Sequence, residues 1–116
     1  MKDLSTTDLA QIFASLAGEP RIEVLQALRE KVLNCPDPVN CDLSERCCDV
    51  SELAETLGVS LPAISYHLRE LRLAGLIQTE RRGKHVYSAI NPATMEQLTY
   101  FLEGLTQEAF AQTGDG

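Results

Sequence analysis

The sequence predicts a mainly α-helical domain with a two-stranded β wing, a winged helix-turn-helix. Three observations carry this reading. Apolar residues recur at helical spacing from Leu9-Ile12-Phe13-Leu16 onward. A short capped helix, a glycine turn and a second helix succeed one another between residues 49 and 75. Two runs with β-branched and aromatic residues then flank the basic stretch Arg81-Arg82-Gly83-Lys84. A chain of 116 residues makes about one domain. Its expected bounds are residues 1–111, with a frayed tail at 112–116.

Each element has a local cause. The spacing predicts a first amphipathic helix over residues 6–17, ended by Gly18-Glu19-Pro20. Pro20 can open a second helix, where its missing N–H costs nothing, and Ile22, Leu25, Leu28 and Val32 give that helix an apolar face. Residues 34–46, with two prolines and several turn formers, read as a loop. Asp49-Val50-Ser51-Glu52 has the form of a capping box for a short third helix, whose buried stripe is Val50, Leu53, Ala54 and Leu57. Gly58 supplies the left-handed residue that ends it. Ser60 caps a fourth helix, Pro62 sits in its first turn, and Ile64, Leu68, Leu71 and Ala74 or Gly75 mark its inner face. Residues 76–80 and 85–90 form the hairpin. Pro92 opens a last helix, where Met95, Leu98, Leu102, Leu105 and Ala109 make a seam suited to helix packing or dimerisation.

Composition narrows the function. With 44% hydrophobic and 23% charged residues, this is the composition of a soluble globular chain. No apolar run approaches the roughly 18 residues of a membrane helix. The start, Met1-Lys2-Asp3-Leu4-Ser5, does not resemble a signal peptide, so a cytoplasmic location is expected. Few aromatics disfavour a carbohydrate groove or a surface for stacking single-stranded bases. Net charge is −7, which by itself disfavours a nucleic-acid partner. Its distribution reverses that. Residues 1–60 carry five basic and eleven acidic side chains, and residues 91–116 carry four acidic and no basic ones. Residues 61–90 carry five basic and two acidic, a positive stretch in a negative chain.

That stretch coincides with the helix-turn-helix and hairpin. A helix of this kind fits the major groove, about 12 Å wide, with its N-terminal half toward base edges. Ser60, Ala63, Ser65, Tyr66 and His67 are candidate contacts at that half, and Arg69 and Arg72 suit phosphates. Arg81, Arg82, Lys84 and His85 would reach the flanking backbone or minor groove. The alternative for these charges is a solvated basic face on a structural hairpin. His67 and His85 are read as DNA contacts or packed surface residues rather than metal ligands.

All four cysteines, Cys35, Cys41, Cys47 and Cys48, fall within fourteen residues. Clustered thiols in a reducing compartment suggest a metal or redox site rather than a disulfide framework. Thiolates select soft or borderline ions such as As(III), Sb(III), Cd, Pb, Zn and Cu(I). Cys47 and Cys48 precede the third helix, whose dipole favours thiolate. Three alternatives stand beside an ion sensor: a structural zinc clip that holds the loop, a thiol redox switch, and unligated cysteines. Catalysis is not expected. There is no C-x-x-C, no phosphate loop and no Gly-rich nucleotide loop.

Leu16-Ala17-Gly18-Glu19-Pro20-Arg21-Ile22-Glu23-Val24-Leu25 resembles the junction of the first two helices in the ArsR/SmtB family of winged-helix repressors. Cys48-Asp49-Val50-Ser51-Glu52-Leu53-Ala54 resembles its cysteine-bearing helix. Ala63-Ile64-Ser65-Tyr66-His67-Leu68-Arg69-Glu70-Leu71, with Ala74-Gly75-Leu76-Ile77, resembles its recognition helix, and Arg82-Gly83-Lys84-His85-Val86-Tyr87-Ser88 its wing. The resemblance spans about residues 9–105. It implies a homodimer built on the first and last helices. It also implies repression of a metal- or metalloid-resistance operon, relieved when an inducer binds. The family's C-x-C pair is here an adjacent Cys47-Cys48, and residues about 34–48, with Cys35 and Cys41, resemble an insertion. A second family site, of His and carboxylates on the last helix, has no His to build it here.

Overall fold

The structure, a computed structural model, describes residues 4–33 and 47–113, with side-chain surroundings as far as residue 107. Five helices and a small sheet make up the described residues. In chain order they are α1 (Thr6–Ser15), α2 (Glu19–Leu33), β1 (Cys48–Asp49), α3 (Val50–Leu57), α4 (Leu61–Leu73), β2 (Ile77–Arg82), β3 (His85–Ile90) and α5 (Pro92–Thr113). The expected loop at 34–46 lies outside the described residues, as do Cys35 and Cys41.

A single apolar core joins all the helices and the sheet. Ile12 of α1, Val24 and Leu28 of α2, Leu53 of α3, Ile64, Leu68 and Leu71 of α4 and Leu98 of α5 meet around Leu76 and Ile77. The expected inner face of α4 is the observed one. That of α2 is rotated: Val24 and Leu28 are buried, whereas Ile22 and Val32 are 43% and 41% exposed. The stripe that packs runs through Arg21, Val24, Leu25 and Leu28, because α2 contacts α4 and β3 along that side.

The helix ends follow their signals with one exception. Gly58 takes φ 67 and closes α3, and the Ser60 hydroxyl accepts from the Ala63 N–H at 3.3 Å to open α4. The capping box read at Asp49 and Glu52 does not form. Asp49 stands at the N-cap with extended backbone but makes no side-chain cap bond. Its carboxylate turns to His85, and that of Glu52 turns to Lys31. Glu52 finds a tertiary cation, whose charge-assisted bond is stronger than one to a neutral N–H, and Asp49 finds a tertiary imidazole in place of the helix backbone. A capping box does form at Ser5 and Asp8.

The expected two-stranded wing is present as β2 and β3, and the sheet gains one further short strand. It has three, in the order β1-β3-β2, all antiparallel. β1 is only two residues long, too short to leave a period in the sequence. The second hairpin strand has the expected bounds, and the first reaches further toward the tip than expected. Arg81 and Arg82 lie within β2, paired with Val86 and His85, and the loop is Gly83-Lys84 alone. Gly83 adopts φ 62, the positive value that a two-residue hairpin loop favours at its first position.

Candidate nucleic-acid interface and cysteine pair

The register of the wing sorts its side chains. Directly paired residues share a face, and neighbours along a strand alternate. Cys48, Ser88 and Thr79 therefore form a row across the face turned to α4, with Val86 and Arg81 next along it. Asp49, Tyr87 and Glu80 form the row on the outer face, beside His85 and Arg82. The sequence places these basic residues together at one tip, and the fold divides them between two faces.

Their electrostatic states differ too. Arg82 pairs with Glu80 at 3.0 Å, two residues away on the same face. His85 Nδ1 lies 2.8 Å from Asp49 Oδ2. Arg81 Nε donates only to the Gly83 carbonyl, at 3.5 Å. Among the described residues no carboxylate pairs with Arg69, Arg72, Arg81 or Lys84, all of which are exposed. This set, from α4 and from the inner edge and tip of the wing, carries the positive charge not matched by a carboxylate there.

On α4, Ser65, Tyr66, Arg69 and Arg72 are exposed and Ala63 is half-buried. His67 is half-buried and turned toward α2, where Arg21 Nε donates to its Nδ1 at 3.4 Å. The same guanidinium stacks over the Tyr66 ring, 5.6 Å from its centre, and donates to the Ser15 carbonyl at 3.3 Å. Arg21 thus ties α1, α2 and α4 together. It was not among the site residues expected from the sequence. An arginine just inside a helix N-terminus carries no signal of the tertiary contacts it will make.

Cys48 is buried at 4% exposure inside the core and Cys47 is half-buried. Neither is in a disulfide. The sequence expectation of an activated thiolate at a helix N-terminus is reversed for Cys48. Burial, reinforced by the Glu52 carboxylate and only partly offset by Lys31, pushes its thiol up to about 11. Lys31 itself is raised by its 2.7 Å bond to Glu52. Lys31, Glu52, Cys47 and Cys48 are thus one electrostatic group at the junction of α2, β1 and α3. Two adjacent sulfurs are donors of the kind a thiophilic ion takes. Cys48 faces the core as folded, so both sulfurs can share an ion only if Cys48 moves outward. Among the described residues no group of three or more His, Cys, Asp or Glu stands ready to hold a metal. No described helix is long and apolar enough to cross a membrane.

Known proteins share this architecture. The sequence profile described as "Bacterial regulatory protein, arsR family" matches residues 41–79. The HTH-type transcriptional regulator KmtR of Mycobacterium tuberculosis is 29% identical over 90 residues, 78% of this chain and 58% of KmtR. The arsenic resistance transcriptional regulator ArsR1 of Pseudomonas putida is 38% identical over 56 residues, 48% of this chain and 44% of ArsR1. The chain thus spans about half the length of these two relatives. Among solved structures, an ArsR-like transcriptional regulator from Rhodococcus sp. RHA1 superposes with a TM-score of 0.69 at 26% identity, covering 94% of this chain and 89% of that one.

Proposed function

Because the chain belongs to the ArsR family of winged-helix transcriptional regulators, we propose that it is a homodimeric cytoplasmic repressor of a metal- or metalloid-resistance operon. In this reading it holds an inverted-repeat operator and releases it when a thiophilic ion gathers Cys47 and Cys48. As(III) and Sb(III) are favoured, with Cd, Pb and Zn next. The chain is a regulator and not an enzyme.

The observation that carries DNA binding is the set of exposed cations Arg69, Arg72, Arg81 and Lys84 on α4 and the wing, none of them paired with a described carboxylate. Ser65 and Tyr66 stand exposed beside it and face the bases. Arg82 and His85 are secondary contacts, because Glu80 and Asp49 already engage them. His67 acts through Arg21 rather than on DNA directly. A dimer is supported by α5, where Leu102 and Leu105 of the predicted seam are 50% and 53% exposed. The proposed domain bounds are residues 1–111, and α5 runs two residues beyond them, to Thr113.

Ion sensing is supported by the place of Cys48 in the fold. It pairs with Ser88 of the central wing strand and leads directly into α3. An ion that draws Cys48 outward strains the wing and the helix that supports α4 together. Release follows only if the ion binds the DNA-free form more tightly. Lys31 offsets the charge of the thiolates that form. Cys35 and Cys41 supply the third and fourth sulfurs in this scheme. The redox alternative is the weaker one, since redox-sensing thiols are exposed and acidic, whereas Cys48 is neither.

The test is fluorescence anisotropy of a labelled duplex from upstream of the gene, with reduced protein at fixed salt, titrated with arsenite, antimonite, cadmium and zinc. Release by one ion, lost in Cys47→Ser and Cys48→Ser, supports the reading. Tight binding unmoved by every ion removes the sensor and leaves the DNA-binding function.

A further inference from the structure

Arg21 stands in the first turn of α2 and is half-buried. Its Nη1 donates to the Ser15 carbonyl at 3.3 Å and its Nε to His67 Nδ1 at 3.4 Å, while the guanidinium carbon lies 5.6 Å from the centre of the Tyr66 ring. The Tyr66 ring in turn meets His67 edge-on, with ring centres 5.7 Å apart. Tyr66 and His67 are successive residues of α4, so their side chains diverge by about 100° around the helix. A single planar group that touches both sits in the angle between them. It fixes the tilt of the Tyr66 ring and the rotation of α4 about its own axis. The other end of the contact is anchored as well. Ser15, buried at 6% exposure, gives its carbonyl to Arg21, and its hydroxyl donates to the Glu70 carbonyl of α4 at 3.4 Å. Yet Tyr66 remains 54% exposed, on the N-terminal half of α4.

We infer that Arg21 is a specificity-determining positioning residue: it holds Tyr66 in the orientation that reads sequence, without touching the duplex itself. This rests on the proposed DNA-binding function. An exposed tyrosine left free must be ordered on binding, which costs between about two- and tenfold in affinity. Here the ordering is built into the fold. The gain falls on duplexes whose base edges accept Tyr66 as it stands, so it shows as sequence preference rather than as overall affinity. Phosphate attraction is left to other residues. The Arg21 guanidinium is spent on a carbonyl, an imidazole nitrogen and a ring, whereas Arg69 and Arg72 are exposed and pair with no described carboxylate. Lysine is no substitute, since a compact ammonium lacks the planar fork that serves three partners at once.

The test is selection from a random-sequence duplex pool with the reduced full chain, followed by binding of the enriched duplex and of an unselected one across a salt series. The variants are Arg21→Gln, Arg21→Lys, Tyr66→Leu and the double variant Arg21→Gln with Tyr66→Leu, each checked for folding by urea unfolding. Arg21→Gln should lower the ratio of selected to unselected affinity by about fivefold, the upper worth of an exposed cation–π contact. The loss should fall at the base pairs that Tyr66→Leu relaxes. In the Tyr66→Leu background, Arg21→Gln should change the ratio by less than about twofold, because its effect runs through that ring. The salt slope should stay unchanged. Arg21→Lys should lower the ratio in the same direction, and it carries the test where Arg21→Gln does not fold. A merely structural role lowers the urea midpoint and both affinities together; an intact ratio of that kind overturns the inference. A salt slope reduced by about one unit also overturns it, since that marks a direct phosphate contact, as do equal losses with and without Tyr66. If the wild-type chain enriches no sequence, the DNA-binding reading fails and the inference falls with it. Enrichment that Arg21→Gln leaves unchanged overturns the inference alone.

Discussion

The thiol of Cys48 should be protected from alkylation by the fold itself. Its acidity moves from the ordinary 9.0 to about 11, and its side chain sits in the core at 4% exposure. Near neutral pH the thiolate fraction then falls by about a hundredfold. A more basic thiolate is intrinsically more reactive, and a Brønsted slope of about 0.4–0.5 returns roughly a factor of eight. The charge effect alone therefore slows reaction by about tenfold, and steric burial adds to it. The assay is timed iodoacetamide labelling at pH 7.5, quenched and mapped by peptide mass, in native buffer and in urea. Native Cys48 should react at least about tenfold more slowly than unfolded Cys48. Labelling at the unfolded rate would refute the burial argument and the need for Cys48 to move before it ligates. The linkage has a definite sign. A thiol whose folded value lies above its unfolded one stabilises the fold below pH 9 and loses that contribution as pH rises toward 11. The loss at the alkaline end is on the order of 3 kcal/mol.

Other perturbations separate the remaining claims. Lys84→Ala should flatten the salt dependence of DNA binding by about one unit, whereas Arg82→Ala, already paired with Glu80, should flatten it less; equal slopes would contradict the claim that the Glu80 pair withholds Arg82 from DNA. Ser60→Ala should cost about 1 kcal/mol in urea unfolding through loss of the α4 cap. Ile64→Ala, at a fully buried position, should cost about 2–5 kcal/mol and lower the urea midpoint without changing its slope. Arg21→Ala should cost about 1 kcal/mol of stability, the worth of an exposed cation–π contact, and weaken DNA binding although no contact with DNA is assigned to it.

Where the sequence was legible, one residue dictated one local event. Gly58, Ser60 and the stripe Ile64-Leu68-Leu71 belong to that class, since a left-handed turn, a cap and an amphipathic face need no knowledge of distant partners. What it concealed was set by contacts far along the chain. Asp49 and Glu52 have the right spacing to cap α3, but His85 and Lys31, brought close only by folding, compete for them. β1 exists because β3 lies beside it, and two residues alone have no strand signature. The same holds for the candidate sites. Clustering in sequence singled out Arg69, Arg72, Arg81 and Lys84 together with Arg82 and His85, yet whether a cation is paired depends on cross-strand register. Placing Cys48 near a helix N-terminus suggested an acidic thiol, but its burial outweighs the dipole of an eight-residue helix.

The unmade cap at Asp49 has one more consequence. Its carboxylate stands at the head of α3 within reach of two alternative donors, the His85 ring it now holds and the uncapped N–H groups of the helix's first turn. In the proposed complex a DNA phosphate that attracts His85 does not leave Asp49 stranded, because its side chain has the first-turn N–H groups of α3 as alternative donors, a simple N-cap rather than a box, since Glu52 is held by Lys31. The wing tip and the start of the supporting helix thereby trade one bond between them. On the proposed reading of DNA contact at the wing, the loss of the Asp49–His85 bond is offset in part by a new N-cap bond at the head of α3.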